Sequence, residues 1–227
     1  MAEDGKDDLP YRLITENGEE KKMSREYAGK GTAYYPNGDI YEGDFLDGIR
    51  EGRGKYSYAN NQDKYDGEWK QNLKHGIGKM VYSGKGEYNG YWENGRRHGE
   101  GVFTYPNGDI FSGWWKFGEK EGTGTYIYKS NGMKIYGQWK QSKVLHGKWI
   151  YPNGTFYEGG FANNKPNGEG KWVFKNGNEL KGFYEQTKKQ AEEGEEPPAE
   201  EGEEGAEPKA KFNLKWRTHT NIVEAAF

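Results

Sequence analysis

Three histidines recur along the chain, and each stands directly before a glycine: His75, His98 and His146. Imidazoles share a metal ion only when their ring nitrogens all lie within about 2.1 Å of it. If the chain repeats as β-hairpins, equivalent positions lie two strands apart, which is about 9.5 Å. The spacing therefore favours a structural role in turns and predicts no metal ion and no other cofactor.

Carboxylates recur in the same periodic way, in turns and on strand-like segments: Asp39, Asp109, Glu42, Asp66, Glu68 and Glu158. Catalytic carboxyl pairs need separations of about 5–9 Å inside a desolvating pocket. On an open sheet we expect these groups to be solvated instead. The Gly-x-Gly pairs match no phosphate-binding loop, and the chain has no Cys, so the sequence predicts that the protein is not an enzyme.

The charge is divided unevenly. Residues 188–210 hold nine Glu and three Lys, while the whole chain carries a net charge of −3. The rest of the chain is therefore mildly basic, which does not match the strongly basic footprint of a nucleic-acid-binding protein. The absence of Cys and of an apolar N-terminal run predicts a cytoplasmic protein without a signal peptide.

The elements that position these residues come from a repeat of 22–24 residues. A block of the form aromatic-x-Gly-x-aromatic begins at seven places: Tyr41, Tyr65, Tyr88, Phe111, Ile135, Tyr157 and Leu180. A Gly-x-Gly block that ends on an aromatic residue follows each of the first six, as in "GEGVFTY", except that Leu145 replaces the first glycine in the fifth. Apolar residues alternate with polar ones in both blocks, and "PNGD"-type segments join them, which indicates strands and tight turns.

The sequence therefore predicts an all-β fold, a single elongated, twisted antiparallel sheet of about seven hairpins. Alternation places the aromatic residues of all repeats on one face, where their rings can stack. The glycine inside each block leaves bare backbone for a ring to lie on.

"YEGDFLDGIREGRGKYSY" and "YWENGRRHGEGVFTYPNGD" resemble MORN repeats, which have Tyr-x-Gly-x-Trp followed by His-Gly-x-Gly. The resemblance covers residues 29–184; Ile135, Leu145 and Leu180 depart from it. A chain made almost entirely of MORN repeats, with a short acidic and aromatic tail, is similar to the small MORN subunits of the radial spoke head. This resemblance implies a non-catalytic scaffold in the axoneme of motile cilia and flagella, part of the cytoskeleton, that binds other spoke-head proteins.

The face opposite the aromatic rows is the predicted partner-binding surface. Its first repeats are charged, but the middle repeats present apolar residues there, which indicates a binding partner. Together with apolar residues of the tail, the predicted contact residues are Tyr91, Val102, Trp114, Ile127, Tyr136, Ile150, Phe212, Trp216 and Phe227. The alternative, that the C-terminal segment itself covers this face, stays open, as does a homo-oligomer or two copies in one assembly.

Four domains follow from these patterns. Residues 1–28 form an N-terminal segment with one possible added strand around Leu13, 29–187 the repeat sheet, 188–210 an acidic disordered linker, and 211–227 a C-terminal docking segment. The rival function is a peripheral tether that binds phospholipid through a basic edge of Arg50, Lys74, Arg97 and Lys120. One charge per ~9.5 Å is a weak lipid signal, so membrane binding is not expected.

Overall fold

A computed structural model describes residues 10–188 and 212–219 of the chain. Every regular element in these ranges is a β-strand, and each strand pairs antiparallel with its neighbours. This confirms the predicted fold class. The contacts divide the chain into two compact units, Met1–Glu119 and Lys120–Phe227.

The first unit contains ten strands. They are β1 (Arg12–Thr15), β2 (Glu20–Lys21), β3 (Gly29–Tyr34), β4 (Ile40–Leu46), β5 (Ile49–Ser57), β6 (Lys64–Lys70), β7 (Leu73–Tyr82), β8 (Gly86–Glu93), β9 (Arg96–Thr104) and β10 (Ile110–Lys116). From β3 to β10 each strand pairs with the next, while β1 pairs with both β2 and β3. The structure thus has a strand before the repeats, containing Leu13, which is fully buried.

The second unit continues the pattern with seven strands. They are β11 (Glu119–Ile127), β12 (Lys134–Lys140), β13 (Lys143–Ile150), β14 (Phe156–Ala162), β15 (Lys165–Val173), β16 (Glu179–Lys188) and β17 (Phe212–Thr218). Each pairs with the next, so the C-terminal strand β17 lies along β16, with Trp216 opposite Tyr184. The described part of the tail therefore extends the edge of its own sheet. The linker predicted at 188–210 lies outside the described residues apart from Lys188.

Two kinds of turn join the strands, and the tightest ones are not where the sequence predicted them. The two-residue turns follow each repeat's Trp or Phe, and both residues have positive φ, as at Asp47-Gly48 and Asn94-Gly95. In the Pro-Asn-Gly-Asp segments only the glycine has positive φ. There the Asn37 side-chain oxygen accepts the N–H of Asp39 at 3.1 Å, a local bond that stabilises a wider turn.

The buried face of each unit is a ladder of edge-to-face aromatic rings. Tyr65 lies 5.2 Å from Trp69 of its own repeat and 5.4 Å from Trp92 of the next, at interplanar angles of 89° and 82°. Tyr88 repeats this geometry with Trp92 and Trp115. The indole N–H groups of Trp69, Trp92, Trp115 and Trp139 each donate to a glycine carbonyl, as Trp92 Nε1 donates to the Gly78 carbonyl at 3.0 Å.

A row of glycines in register makes this ladder possible. Within β3–β10, and again within β11–β16, one glycine of each strand faces a glycine of the next, as Gly90 faces Gly78 and Gly101. The ring of Tyr88 lies across Gly101 so closely that an added Cβ there would overlap the ring. The predicted role of the glycine, to give bare backbone to a ring, is confirmed.

Two carboxylates that the sequence placed in solvent are buried. Asp39 and Asp109 are each only 6 % exposed. Asp39 accepts a hydrogen bond from the Tyr56 hydroxyl at 2.7 Å and another from the Ala59 N–H at 2.8 Å. The prediction was wrong because the turn folds back over the ladder, so its carboxylate joins two successive hairpins.

Candidate functional site

The outward face of the first unit carries a cross-strand row that changes character along its length. We define the outward row as eight residues on β3–β10: Lys30, Asp44, Arg53, Glu68, Ile77, Tyr91, Glu100 and Trp114. Direct pairs in this row are Lys30 with Asp44, Arg53 with Glu68, Ile77 with Tyr91, and Glu100 with Trp114. The row begins with opposite charges and ends with apolar and aromatic side chains.

A β-bulge in each repeat determines what the outward row can do. The first glycine of each Gly-x-Gly block has positive φ, +74° at Gly52 and +55° at Gly76, and the strand register shifts at that point. In the first two repeats a carboxylate lies over this glycine and accepts the next backbone N–H. Asp44 accepts from Arg53 at 3.1 Å, and Glu68 accepts from Ile77 at 3.2 Å.

The third and fourth repeats have aromatic residues where these carboxylates stand. Tyr91 lies over the bulge glycine Gly99. A Cβ added to Gly99 would be 3.3 Å from the Tyr91 Cβ. The tyrosine ring has no acceptor atom at the position of the Asp44 and Glu68 carboxylates. Tyr91 therefore cannot accept the backbone N–H that follows the bulge glycine, as Asp44 and Glu68 do. The substitution gives up a local hydrogen bond and places an aromatic surface in solvent.

The result is an exposed apolar patch, defined by Ile77, Tyr91, Val102 and Trp114. Their exposed fractions are 51 %, 49 %, 39 % and 50 %. The sequence predicted Tyr91, Val102 and Trp114 to lie on this face but missed Ile77. Its position between Gly76 and Gly78, equivalent to that of Glu100, was the available signal.

The predicted contact residues of the second unit have a different setting. Tyr136 is 47 % exposed on β12, between Thr125 of β11 and Lys148 of β13. Ile127 and Ile150 are half-buried on either side of Lys134, which pairs with both. Only Tyr136 among these three presents a largely exposed apolar side chain.

The tail residues lie at the edge of the second unit. Phe212 and Trp216 are half-buried on β17, and the Trp216 ring lies 5.0 Å from Tyr184 and 6.1 Å from Tyr157. Arg217 and His219 add contacts to Glu185 and Glu169, both at 2.8 Å. Phe227 lies outside the described residues. Binding of a partner by the tail stays a prediction.

The predicted basic edge points onto the aromatic ladder. Four cations lie over the indoles of the adjoining repeat: Arg50 over Trp69, Lys74 over Trp92, Arg97 over Trp115 and Lys120 over Trp139, at 4.4–5.6 Å from the ring centroid. All four are half-buried. Burial lowers the pKa of Lys74 to about 8. The four cations therefore form cation–π contacts with the ladder instead of facing outward as a basic edge.

Two further findings concern the described ranges 10–188 and 212–219. No three His, Asp or Glu side chains in them converge on a point where a metal ion would fit. No helix in them has the length and hydropathy of a membrane span.

Comparisons with known proteins agree with the repeat pattern. The sequence profile of the family described as MORN repeat matches six segments, residues 26–40, 41–62, 65–86, 88–110, 111–133 and 157–179. The hairpin of β12 and β13, which carries Ile135 and Leu145, is not among them, although it has the same strand pairing. A search of curated proteins finds no match.

One solved structure with which the chain aligns is the TCP domain of SAS-4 (dCPAP) of Drosophila melanogaster, in complex with a proline-rich motif of Ana2 (dSTIL). The two share 20 % identity and a TM-score of 0.44, over 67 % of this chain and 83 % of that one.

Proposed function

Because the chain belongs to the MORN-repeat family, whose profile matches more than half of its residues, we propose that it is a non-catalytic scaffold subunit of the axonemal radial spoke head in motile cilia and flagella. MORN repeats indicate a structural, protein-binding role. The finer assignment is supported by the similarity of the whole chain, repeats followed by a short acidic and aromatic tail, to small spoke-head MORN subunits.

The main support for the protein-binding role is the exposed apolar patch of Ile77, Tyr91, Val102 and Trp114. It lies on a sheet whose opposite face is already packed by the aromatic ladder, so the patch is not needed for the fold. Large exposed aromatic residues of this kind form the centres of protein interfaces. Other spoke-head proteins are the partners that we propose for it.

The membrane tether is the weaker alternative. It requires basic side chains that face outward, and Arg50, Lys74, Arg97 and Lys120 instead cover indole rings. Flotation with anionic vesicles compares the two functions directly. Salt-sensitive binding by the purified full-length chain would favour the tether, and its absence would favour the scaffold.

Fractionation of cilia tests the scaffold. Cilia are demembranated, the axonemes are washed at increasing salt, and the fractions are blotted for this chain. We expect it to stay with the axoneme and to be released together with spoke-head components. Recovery entirely in the membrane and matrix fraction would overturn the proposal. In cells lacking the native protein, Trp114→Ala should reduce axonemal retention while Ser112→Ala, on the same strand and face, should not.

A further inference from the structure

Glu100 differs from the other carboxylates on the outward face of β4–β10. They include Glu42, Asp44, Asp66, Glu68 and Glu87, besides Glu93, which lies 3.3 Å from His98, and Glu51, which accepts the Gln71 N–H. Among the described residues, each of the first five has a basic side chain directly opposite it or paired with it. Glu42 and Asp66 face Lys55, Asp44 and Glu68 face Lys30 and Arg53, and Glu87 lies 2.8 Å from Lys79.

The neighbours of Glu100 are rings. Trp114 is directly opposite it on β10, and Tyr91 lies on β8 beside Gly99, the residue before Glu100. Opposite residues on antiparallel strands have Cβ atoms about 5 Å apart, so the carboxylate stands beside the indole. Glu100 is itself exposed and has no ion-pair or hydrogen-bond partner in the part of the chain that the structure describes.

We propose that Tyr91, Glu100 and Trp114 form a cradle for an arginine side chain of the partner protein. A guanidinium group is planar and weakly hydrated, so it can donate two hydrogen bonds to a carboxylate while it lies against an aromatic face. An ammonium group is a compact, strongly hydrated charge and uses such a site less well. The apolar side chains Ile77 and Val102 beside the cradle accommodate aliphatic neighbours of that arginine.

The same chain shows this chemistry on its other face. Arg97 lies 4.4 Å over the Trp115 ring, and its guanidinium donates to the Gly118 carbonyl at 2.7 Å. On the outward face the ring and the acceptor are present, but the arginine is missing from the described residues. This inference rests on the proposed function only for the identity of the partner protein. The recognition of arginine itself depends on Tyr91, Glu100 and Trp114.

Blocked tripeptides provide a direct test with the full-length chain: acetyl-Ile-Arg-Ile-amide, its lysine version and its citrulline version. Binding is followed by amide and indole ¹H–¹⁵N shifts. We expect millimolar binding of the arginine peptide, with shifts at the Trp114 indole and at Gly99 and Glu100. The lysine peptide should bind at least about threefold more weakly, and the uncharged citrulline peptide should not bind detectably.

Two variants complete the test. Glu100→Gln should abolish the preference for arginine, whereas Glu68→Gln, which changes another exposed carboxylate two repeats away from Trp114, should leave it unchanged. Three outcomes would each overturn the proposal. They are equal binding of the arginine and lysine peptides, shifts only at residues away from the cradle, and no shift at a peptide concentration on the order of 20 mM, where even very weak binding is measurable. Axonemal retention with no arginine preference would refute the cradle alone, while arginine preference in a protein absent from axonemes would refute the spoke-head assignment alone.

Discussion

The first two repeats and the third and fourth repeats share one backbone but differ on their outward face. Both pairs contain the bulge, the glycine row and the ladder of aromatic rings. In the first pair Asp44 and Glu68 accept a backbone N–H at the bulge, and in the second pair Tyr91 and Trp114 stand in solvent. The comparison shows that the aromatic ladder stabilises the fold. The outward side chains are therefore available to bind a partner.

The largest effect should come from the ladder itself, and two adjacent residues test this. Trp115 is 3 % exposed and Trp114 is 50 % exposed, on opposite faces of β10. Trp115→Ala should lower the free energy of unfolding by about 3–5 kcal/mol, because it removes a buried indole. Trp114→Ala should cost less than about 1 kcal/mol.

Urea denaturation measures both. If the two variants lost equal stability, Trp114 would belong to the packing of the unit, and its proposed freedom to bind a partner would be wrong.

Gly101→Ala comes next in size. The new Cβ would overlap the Tyr88 ring, which has no room to move between Trp92 and Trp115. We expect a loss of about 3 kcal/mol from this overpacking. Gly84→Ala is the control, since no atom lies within 4 Å of its Cβ position and only its positive φ adds a cost, of about 1 kcal/mol. Equal urea midpoints for the Gly101→Ala and Gly84→Ala variants would contradict the prediction, because they would show that the Tyr88 ring can move away from the new methyl group.

Lys74 makes the stability depend on pH in a definite direction. Its pKa is about 8 when folded and about 10.4 when unfolded, so between these values the unfolded chain binds more protons. The penalty of burying the charge is therefore complete below pH 8 and is relieved as the pH rises towards 10.

The matched variant is Lys74→Arg, whose guanidinium stays charged and which copies Arg50 and Arg97. The difference in free energy of unfolding between wild type and variant should shift by about 1–2 kcal/mol in favour of wild type between pH 7.5 and 9.5, after allowance for screening. A difference that stays constant over this range would mean that Lys74 titrates normally and is not buried by the rings.

The smallest effect concerns the bulge. Glu68→Ala removes the acceptor of the Ile77 N–H and should cost about 1 kcal/mol, while Glu68→Gln keeps an oxygen in place and should be nearly neutral. Tyr91→Ala at the equivalent place in the next repeat has no such bond to lose and should cost under about 0.5 kcal/mol. Thermal unfolding of the three variants would measure this. A loss at Tyr91→Ala as large as that at Glu68→Ala would contradict the distinction between the repeats.

Much of the fold could be predicted from the sequence because it follows from a period of two within strands and about 23 between them. The aromatic ladder, the glycine beneath the ring and the outward position of Tyr91 and Trp114 all follow from alternation. What could not be predicted depends on local backbone geometry. The burial of Asp39 follows from how its turn folds back, and the position of Lys74 over Trp92 follows from the two-residue turn that precedes it. Ile77 follows the same alternation, since it adjoins Gly78 and lies opposite Tyr91, so the sequence contained the signal for it.

The glycine row also protects the protein against mispairing. A repeat of nearly identical strands can slide by two residues and still keep its apolar face inward, an error that alternation alone does not prevent. Here such a slip would bring a Cβ-bearing residue, for instance Phe103 in place of Gly101, beneath the Tyr88 ring, where not even a methyl group fits. The glycines therefore disfavour such a slip during folding, because the rings can close only where a glycine lies beneath them.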